Sequence, residues 1–202
     1  MIQLIKKDIL FNMKWALLLV LIAVVMPFVL YIDREETRLI LWVYIIGSVL
    51  ANSHLVSKSC YMDDNAQTRR FLASLPVKKA HLVVSKYLLG LLCMVVSIGL
   101  TSLSSFALGF HPGAQGILIA AMYLMLYYAV FLGAFFRSNY SNAEKTHTAL
   151  MMLTIMSAFV MDRSGVHLDE MAVDPVMLVS CLGICLLIFA ISILCSIHAQ
   201  NA

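Results

Sequence analysis

The feature that most constrains this chain is a set of six long apolar runs, each close to the length that crosses a bilayer. They cover residues 15–32, 39–56, 87–110, 117–136, 146–161 and 176–197. A spanning helix needs about 20 mostly apolar residues. Runs this long without alternation exclude the strands of a membrane barrel. Polar segments divide them: DREETR (33–38), HPGAQG (111–116), RSNYSNAEK (137–145) and DRSGVHLDE (162–170). The first cannot lie in hydrocarbon. The second holds a proline and two glycines, which punctuate a hairpin between helices. Pro175 suits the first turn of the last helix. Composition agrees, with 62% hydrophobic and 12% charged residues, about half the charge of a soluble domain. The expected fold is an all-α integral membrane protein with six transmembrane helices, forming a single domain over residues 1–202. The first run is followed by FVLYIDREE rather than a small-residue cleavage site, so it is expected to be retained as a span.

Lysine and arginine sort by side. Lys6, Lys7 and Lys14 precede the first run, and Lys58, Arg69, Arg70, Lys78, Lys79 and Lys86 follow the second. Arg137 and Lys145 follow the fourth, so 11 of the 14 basic residues share one side. The other side keeps Arg34, Arg38 and Arg163, together with seven of the 11 acids: Asp33, Glu35, Glu36, Asp162, Asp169, Glu170 and Asp174. The positive-inside rule then places both termini in the cytoplasm, as an even number of spans requires. The net charge of +3 is too small to imply nucleic acid as a partner.

Two segments stand outside the bilayer on the basic side. Residues 1–14 carry Ile2, Ile5, Ile9 and Met13 at helical spacing, with Gln3, Lys6, Lys7 and Asn12 on the other side. This pattern predicts an amphipathic helix lying in the interface. Residues 57–86 are too many for a hairpin and too few for a domain. They carry a helical pattern near 63–75 that Pro76 ends, and Pro76 then opens the next helix, VKKAHLVVSKYLL (77–89), which enters the membrane. Tyr61, Met62, Phe71 and Leu72 beside charges suit a protein-docking surface. Lys78 and Lys79 equally suit a basic loop that binds lipid headgroups.

Several chemistries find no support. No GxxxxGK[ST] is present, so this chain holds no phosphate cradle and needs a separate ATPase to be a pump. The six histidines are scattered, and neither HExxH nor a zinc spacing occurs, so neither a metal site nor catalytic residues are expected. Five cysteines (Cys60, Cys93, Cys181, Cys185, Cys195) lack the spacing of a disulfide framework. No charged residue falls inside the six runs, which disfavours an ion-driven carrier or a channel. Ser97, Thr101 and Ser104 share one face of the third run, and Ser48 and Asn52 one face of the second. Small polar residues mediate helix packing. Together with Tyr127 in the fourth run they are also candidates for a greasy, mildly polar cargo path.

The segment between the second and third runs carries a family pattern. An acidic cluster (Tyr61, Asp63, Asp64) precedes SLPVKKAHLVVSKYLLG (74–90), which leads into the third run, and the chain opens on LIKKDILFNMKW (4–15). This resembles the small ABC-2-type transporter permeases, whose pattern is an acidic patch, then SLPVSR, then KYL. Here Lys78-Lys79 stands where the family has Ser-Arg. Charge is kept, but the planar guanidinium is lost. Within the family the chain looks like permeases that export phenol-soluble modulins and other membrane-active peptides.

The resemblance implies a cytoplasmic coupling helix, seated in a groove of an ATP-binding cassette ATPase subunit. Tyr61, Met62, Asp63, Asp64, Arg69, Arg70, Phe71, Leu72 and Leu75 are the implied contacts. It also implies a second permease copy or homologue, a bacterial cytoplasmic membrane, and no cofactor in this chain, ATP and Mg being bound by the partner. The competing expectation is an ATP-independent immunity factor that binds a bacteriocin in the membrane.

Overall fold

The computed structural model of the chain describes residues 2–32, 40–74, 78–109, 114–164 and 175–201. Among these it is helical throughout, with no strand. The helices are α1 (Ile2–Phe11), α2 (Met13–Ile32), α3 (Ile40–Asp64), α4 (Ala66–Ser74), α5 (Lys79–Ala107), α6 (Ala114–Arg137), α7 (Tyr140–Ser164) and α8 (Pro175–Asn201). Leu75 and the segments 33–38 and 165–170 of the expected outer loops lie outside the described residues. So do the side chains of Ser48, Arg69 and Phe71.

Among the described residues three helices are long and apolar enough to cross a membrane: Lys79–Ala107, Ala114–Arg137 and Val176–Gln200. The pair Gln3–Phe11 and Met13–Val25 makes a fourth if counted as one bent span. Helices α3 and α7 have the length, 25 residues each, but both carry a polar end.

Helix boundaries depart from the sequence expectations at three places. No breaker separates Val56 from Asp64, so α3 runs on through Tyr61, Met62, Asp63 and Asp64, and the separate short helix starts only at Ala66. Asn65 makes that break: its side-chain oxygen accepts the backbone N–H of Gln67 at 3.1 Å, an N-cap bond. Asn139 does the same for α7, accepting from the N–H of Asn142 at 3.1 Å, which shortens the expected 137–145 loop. Helix α6 begins at Ala114, so Gln115 and Gly116 are helical rather than part of the hairpin. Helix α5 begins at Lys79, within the stretch expected to open after Pro76, and it stops where Gly109 takes φ +82°, a conformation open to glycine.

Between α1 and α2 the chain bends by 79°. Buried Asn12 sits at the elbow. Its side-chain N–H donates to the carbonyl of Asp8 at 2.9 Å, and its own carbonyl accepts from Trp15 at 2.8 Å. The structure thus turns Asn12 inward, against the expectation that it joins the polar side of α1. Helix α5 is the centre of the bundle and touches α1, α2, α3, α6 and α8. Gly90 lets it approach α6: a Cβ there would lie 3.3 Å from the fully buried ring of Tyr128. Tyr87 binds α8 through Ser192 (2.7 Å) and Ser196 (3.0 Å), while Ser192 donates to the carbonyl of Ala129 on α6 at 2.6 Å. Apolar side chains along α2, α5, α7 and α8 face outward (Leu21, Val95, Leu153, Leu187), the surface a bilayer covers.

Candidate functional site

At the basic end of the bundle α1, the last turns of α3 and the first turns of α5 converge on a quartet of charges, two of them buried and two partly exposed. On α1, Asp8 shares a face with Ile5, Ile9 and Asn12 by the 3.6-residue period. Burying that face against α5 therefore buries the carboxylate, which is 3% exposed. Facing it is Lys86 of α5, 4% exposed. The Lys86 ammonium meets Asp8 Oδ2 at 2.9 Å and Asp63 Oδ2 at 2.6 Å. Lys7 closes the ring, with its Nζ 3.1 Å from Asp63 Oδ1 and 3.3 Å from Asp8 Oδ1. Ser59 adds its hydroxyl and its carbonyl, the latter at 3.4 Å, to the Lys86 ammonium.

Charges alternate around this ring and sum to zero. A buried charge is costly unless it is paired and hydrogen-bonded, and here every member has at least two partners. Beside the ring lies Cys60, fully buried, whose thiol burial pushes up to about 12; the Lys86 ammonium offsets only part of that. The quartet ties three helices from distant parts of the chain into one rigid end.

Cavities open around this end of the bundle. One of about 300 Å³ lies between α1 and the α3–α4 junction, lined by Lys7, Phe11, Met62, Asp63, Gln67 and Thr68. A second, about 440 Å³, lies between α3 and α7 and is lined by Lys58, Tyr61, Asp64, Asn65, Tyr140 and Glu144. Its Tyr61 and Tyr140 rings stand 5.2 Å apart at 70°, and the Lys58 ammonium sits 4.3 Å over the Tyr61 ring. Tyr140 is held by Ser57 (3.0 Å) and, through its N–H, by Asp64 (3.3 Å); burial raises its hydroxyl pKa. The third cavity, about 570 Å³, lies between α4, α5, α6 and the end of α8.

The residues expected to form one docking face are thus distributed over several surfaces. Tyr61 and Arg70 are exposed, Met62 and Asp63 face the first cavity, Asp64 the second, and half-buried Leu72 the third. Sequence reasoning missed Asp8 and Ser59, and it counted Lys86 among the basic residues leading into the third span without a partner. A signal for Asp8 did exist, since it stands within the apolar stripe of Ile5 and Ile9.

The described residues expected along a cargo path, Asn52, Ser97, Thr101, Ser104 and Tyr127, are buried or half-buried and bonded within the chain. The Asn52 amide donates to Ser97 Oγ at 2.6 Å, linking α3 to α5. Thr101 donates to the Ser97 carbonyl at 2.8 Å. Ser104 donates to the Leu100 carbonyl at 3.0 Å and reaches the Ala23 carbonyl of α2 at 3.5 Å. The Tyr127 hydroxyl bonds His147 Nδ1 of α7, and its ring stacks on Phe131 at 6.0 Å. Among the described residues no group of three or more His, Cys, Asp or Glu could hold a metal ion.

A family model described as ABC-2 family transporter protein matches residues 3–200. The chain belongs to that family. It is therefore a multi-pass membrane protein with the permease role of an ABC-2 transporter, a class that usually works with an ATPase partner. No curated relative and no solved structure matches it. For an ABC-2 permease the quartet has a clear mechanical meaning: the segment after the second expected span is bonded to the helix that follows it rather than loosely hinged.

Proposed function

We propose that this chain is the transmembrane permease subunit of an ATP-binding-cassette exporter in the bacterial cytoplasmic membrane. It crosses six times, with the part of α3 up to residue 56 and the part of α7 over 146–161 as the second and fifth spans and both termini in the cytoplasm. The even span number and the gathering of basic residues at one end support this orientation. Helix α1 lies in the interface, and α4 is the coupling helix. Two such subunits, identical or homologous, line the path. A separate ATPase subunit holds the α3–α4 junction of each.

The observation that carries this reading is the ion quartet. Through Asp63 the end of α3 is held to Lys86 of α5 and Lys7 of α1, so a displacement of the junction at Asp63 is passed to α5. Tyr61, Gln67 and Arg70 remain exposed on the outside of the junction, where a second protein can reach them. Closure of the ATPases would push the junctions and switch the pair from inward- to outward-facing as a rigid-body transition. A greasy, mildly polar path suits an amphipathic or hydrophobic cargo, such as a membrane-active peptide.

Co-purification with a Walker-motif ATPase from the same cells tests the reading. The wild-type chain is expected to retain the ATPase, and Arg70→Glu or Tyr61→Ala to release it. If both variants retain the ATPase, the junction is not the contact. A chain that confers resistance to a bacteriocin with no ATPase bound would instead be an immunity factor.

A further inference from the structure

The third cavity carries a ligand assignment of its own, independent of how the ATPase docks. Lys79, Leu82, Val83 and Lys86 fall at i, i+3, i+4 and i+7 on one face of α5, and all four line it. Phe135 and Phe136 of α6 complete an apolar wall, and Ser138 lies at its edge.

The charges divide unequally between floor and rim. At the floor, Lys86 is consumed by Asp63 and Asp8, so Asp63, the acid lining this cavity, is already neutralised. At the rim Lys79 is exposed and its Nζ donates to the carbonyl of Gln200 at 2.6 Å. An ammonium has three donors, so two remain. Gln200 is itself anchored, its amide donating to the Phe136 carbonyl at 3.2 Å, which fixes the ammonium at the mouth. Exposed Lys78 and Arg137 flank that mouth in sequence and add positive charge.

Depth selects the ligand. Helix α5 has 29 residues and is about 43 Å long, against a hydrocarbon core of about 30 Å. Shared between its two ends, the excess of about 13 Å lifts Lys79 to headgroup level and brings Leu82 and Val83 to the boundary of the hydrocarbon. A basic rim above an apolar wall at that depth matches an anionic headgroup with its acyl chain below.

We propose that this cleft binds one anionic phospholipid, its phosphate on Lys79 and an acyl chain along Leu82, Val83, Phe135 and Phe136. Free phosphate would meet the same cation but would leave the apolar wall uncovered.

Native mass spectrometry of the full detergent-solubilised chain, supplied with equimolar phosphatidylglycerol and phosphatidylcholine, tests the assignment. Phosphatidylglycerol is expected to be retained in preference, at one copy per chain. Lys79→Gln should weaken that retention about fivefold, the effect of one cation near an anionic headgroup, and Lys79→Arg should preserve it. Leu82→Trp, which fills the cleft without changing charge, should abolish it, and Lys58→Gln at the opposite cavity should leave it intact. Each variant is first matched to wild type in elution volume and melting temperature, so a folding defect is not read as lost binding. The assignment is overturned if the two lipids are retained equally, if Lys79→Gln changes nothing, or if inorganic phosphate displaces the phosphatidylglycerol.

Discussion

Asp8 and Lys86 stand 78 positions apart and meet at 2.9 Å inside the basic end of the bundle. Neither could be buried alone, because an unpaired charge there would carry its full desolvation cost. Their pairing requires α1 to fold back at the Asn12 elbow, and it requires α5 to begin early enough to deliver Lys86. One ion pair thus records the positions of two helices.

Removing one member of the quartet should cost more than removing a balanced pair. Lys86→Met leaves Asp8 and Asp63 facing Lys7 alone, and should destabilise the chain by about 3 kcal/mol. Lys86→Met with Asp8→Asn restores a one-to-one balance between Lys7 and Asp63. The double variant should melt closer to wild type than the two single losses summed. Thermal unfolding in detergent measures all three, and additive losses would mean the four charges do not act together.

Cys60 should be chemically silent in the folded chain. Only the thiolate reacts, and burial moves this thiol from 9.0 to about 12. N-ethylmaleimide at pH 8 is expected to leave Cys60 unmodified until detergent denaturation exposes it, as peptide mass mapping would reveal. The sign for stability follows. A pKa raised on folding favours the neutral thiol, so this contribution is constant below pH 9 and declines as pH rises toward 12. Rapid labelling of Cys60 in the native chain would contradict the packing described.

Two glycines of α5 should respond oppositely to alanine. At Gly90 a Cβ would press on Tyr128 at 3.3 Å, whereas at Gly99 nothing lies within 4 Å. Gly90→Ala should therefore destabilise by about 1 kcal/mol through overpacking. Gly99→Ala should be neutral or stabilise by about 0.5 kcal/mol through helix propensity. Melting temperatures of the two variants decide the matter.

Tyr87 joins α5 to α8 through two serine hydroxyls. Ser192 already donates to the Ala129 carbonyl, so its oxygen is left to accept from Tyr87. Tyr87→Phe should cost about 1 kcal/mol, the scale of a hydrogen bond between membrane helices, and should loosen α8 first. Faster hydrogen exchange along α8 than along α2 would verify this, and uniform exchange would refute it.

Much of the helical fold was legible before any coordinates. Hydrophobic length and loop chemistry are local, so α2, α5, α6 and α8 were located nearly to their ends. Caps were less visible. Asn65 and Asn139 could be recognised as N-caps only once their oxygens were found on Gln67 and Asn142, and loops drawn from polarity alone were consequently too long. The site was legible only in part. Asp63 was noticed as an acid near a tyrosine, but that description also fits an exposed acid, and nothing nearby in sequence announces its partner.

The amino-acid order by itself determined that this chain is helical, lives in a membrane and gathers its basic residues at one end, because apolar run length and charge placement act residue by residue. Which of those charges would be buried, which would neutralise one another and which would remain at a cleft mouth was decided by the tertiary structure. Asp8, Asp63 and Lys86 belong to three helices, and the electrostatic energy that fixes their state depends on distances of 2.6 to 2.9 Å that exist only once those helices pack.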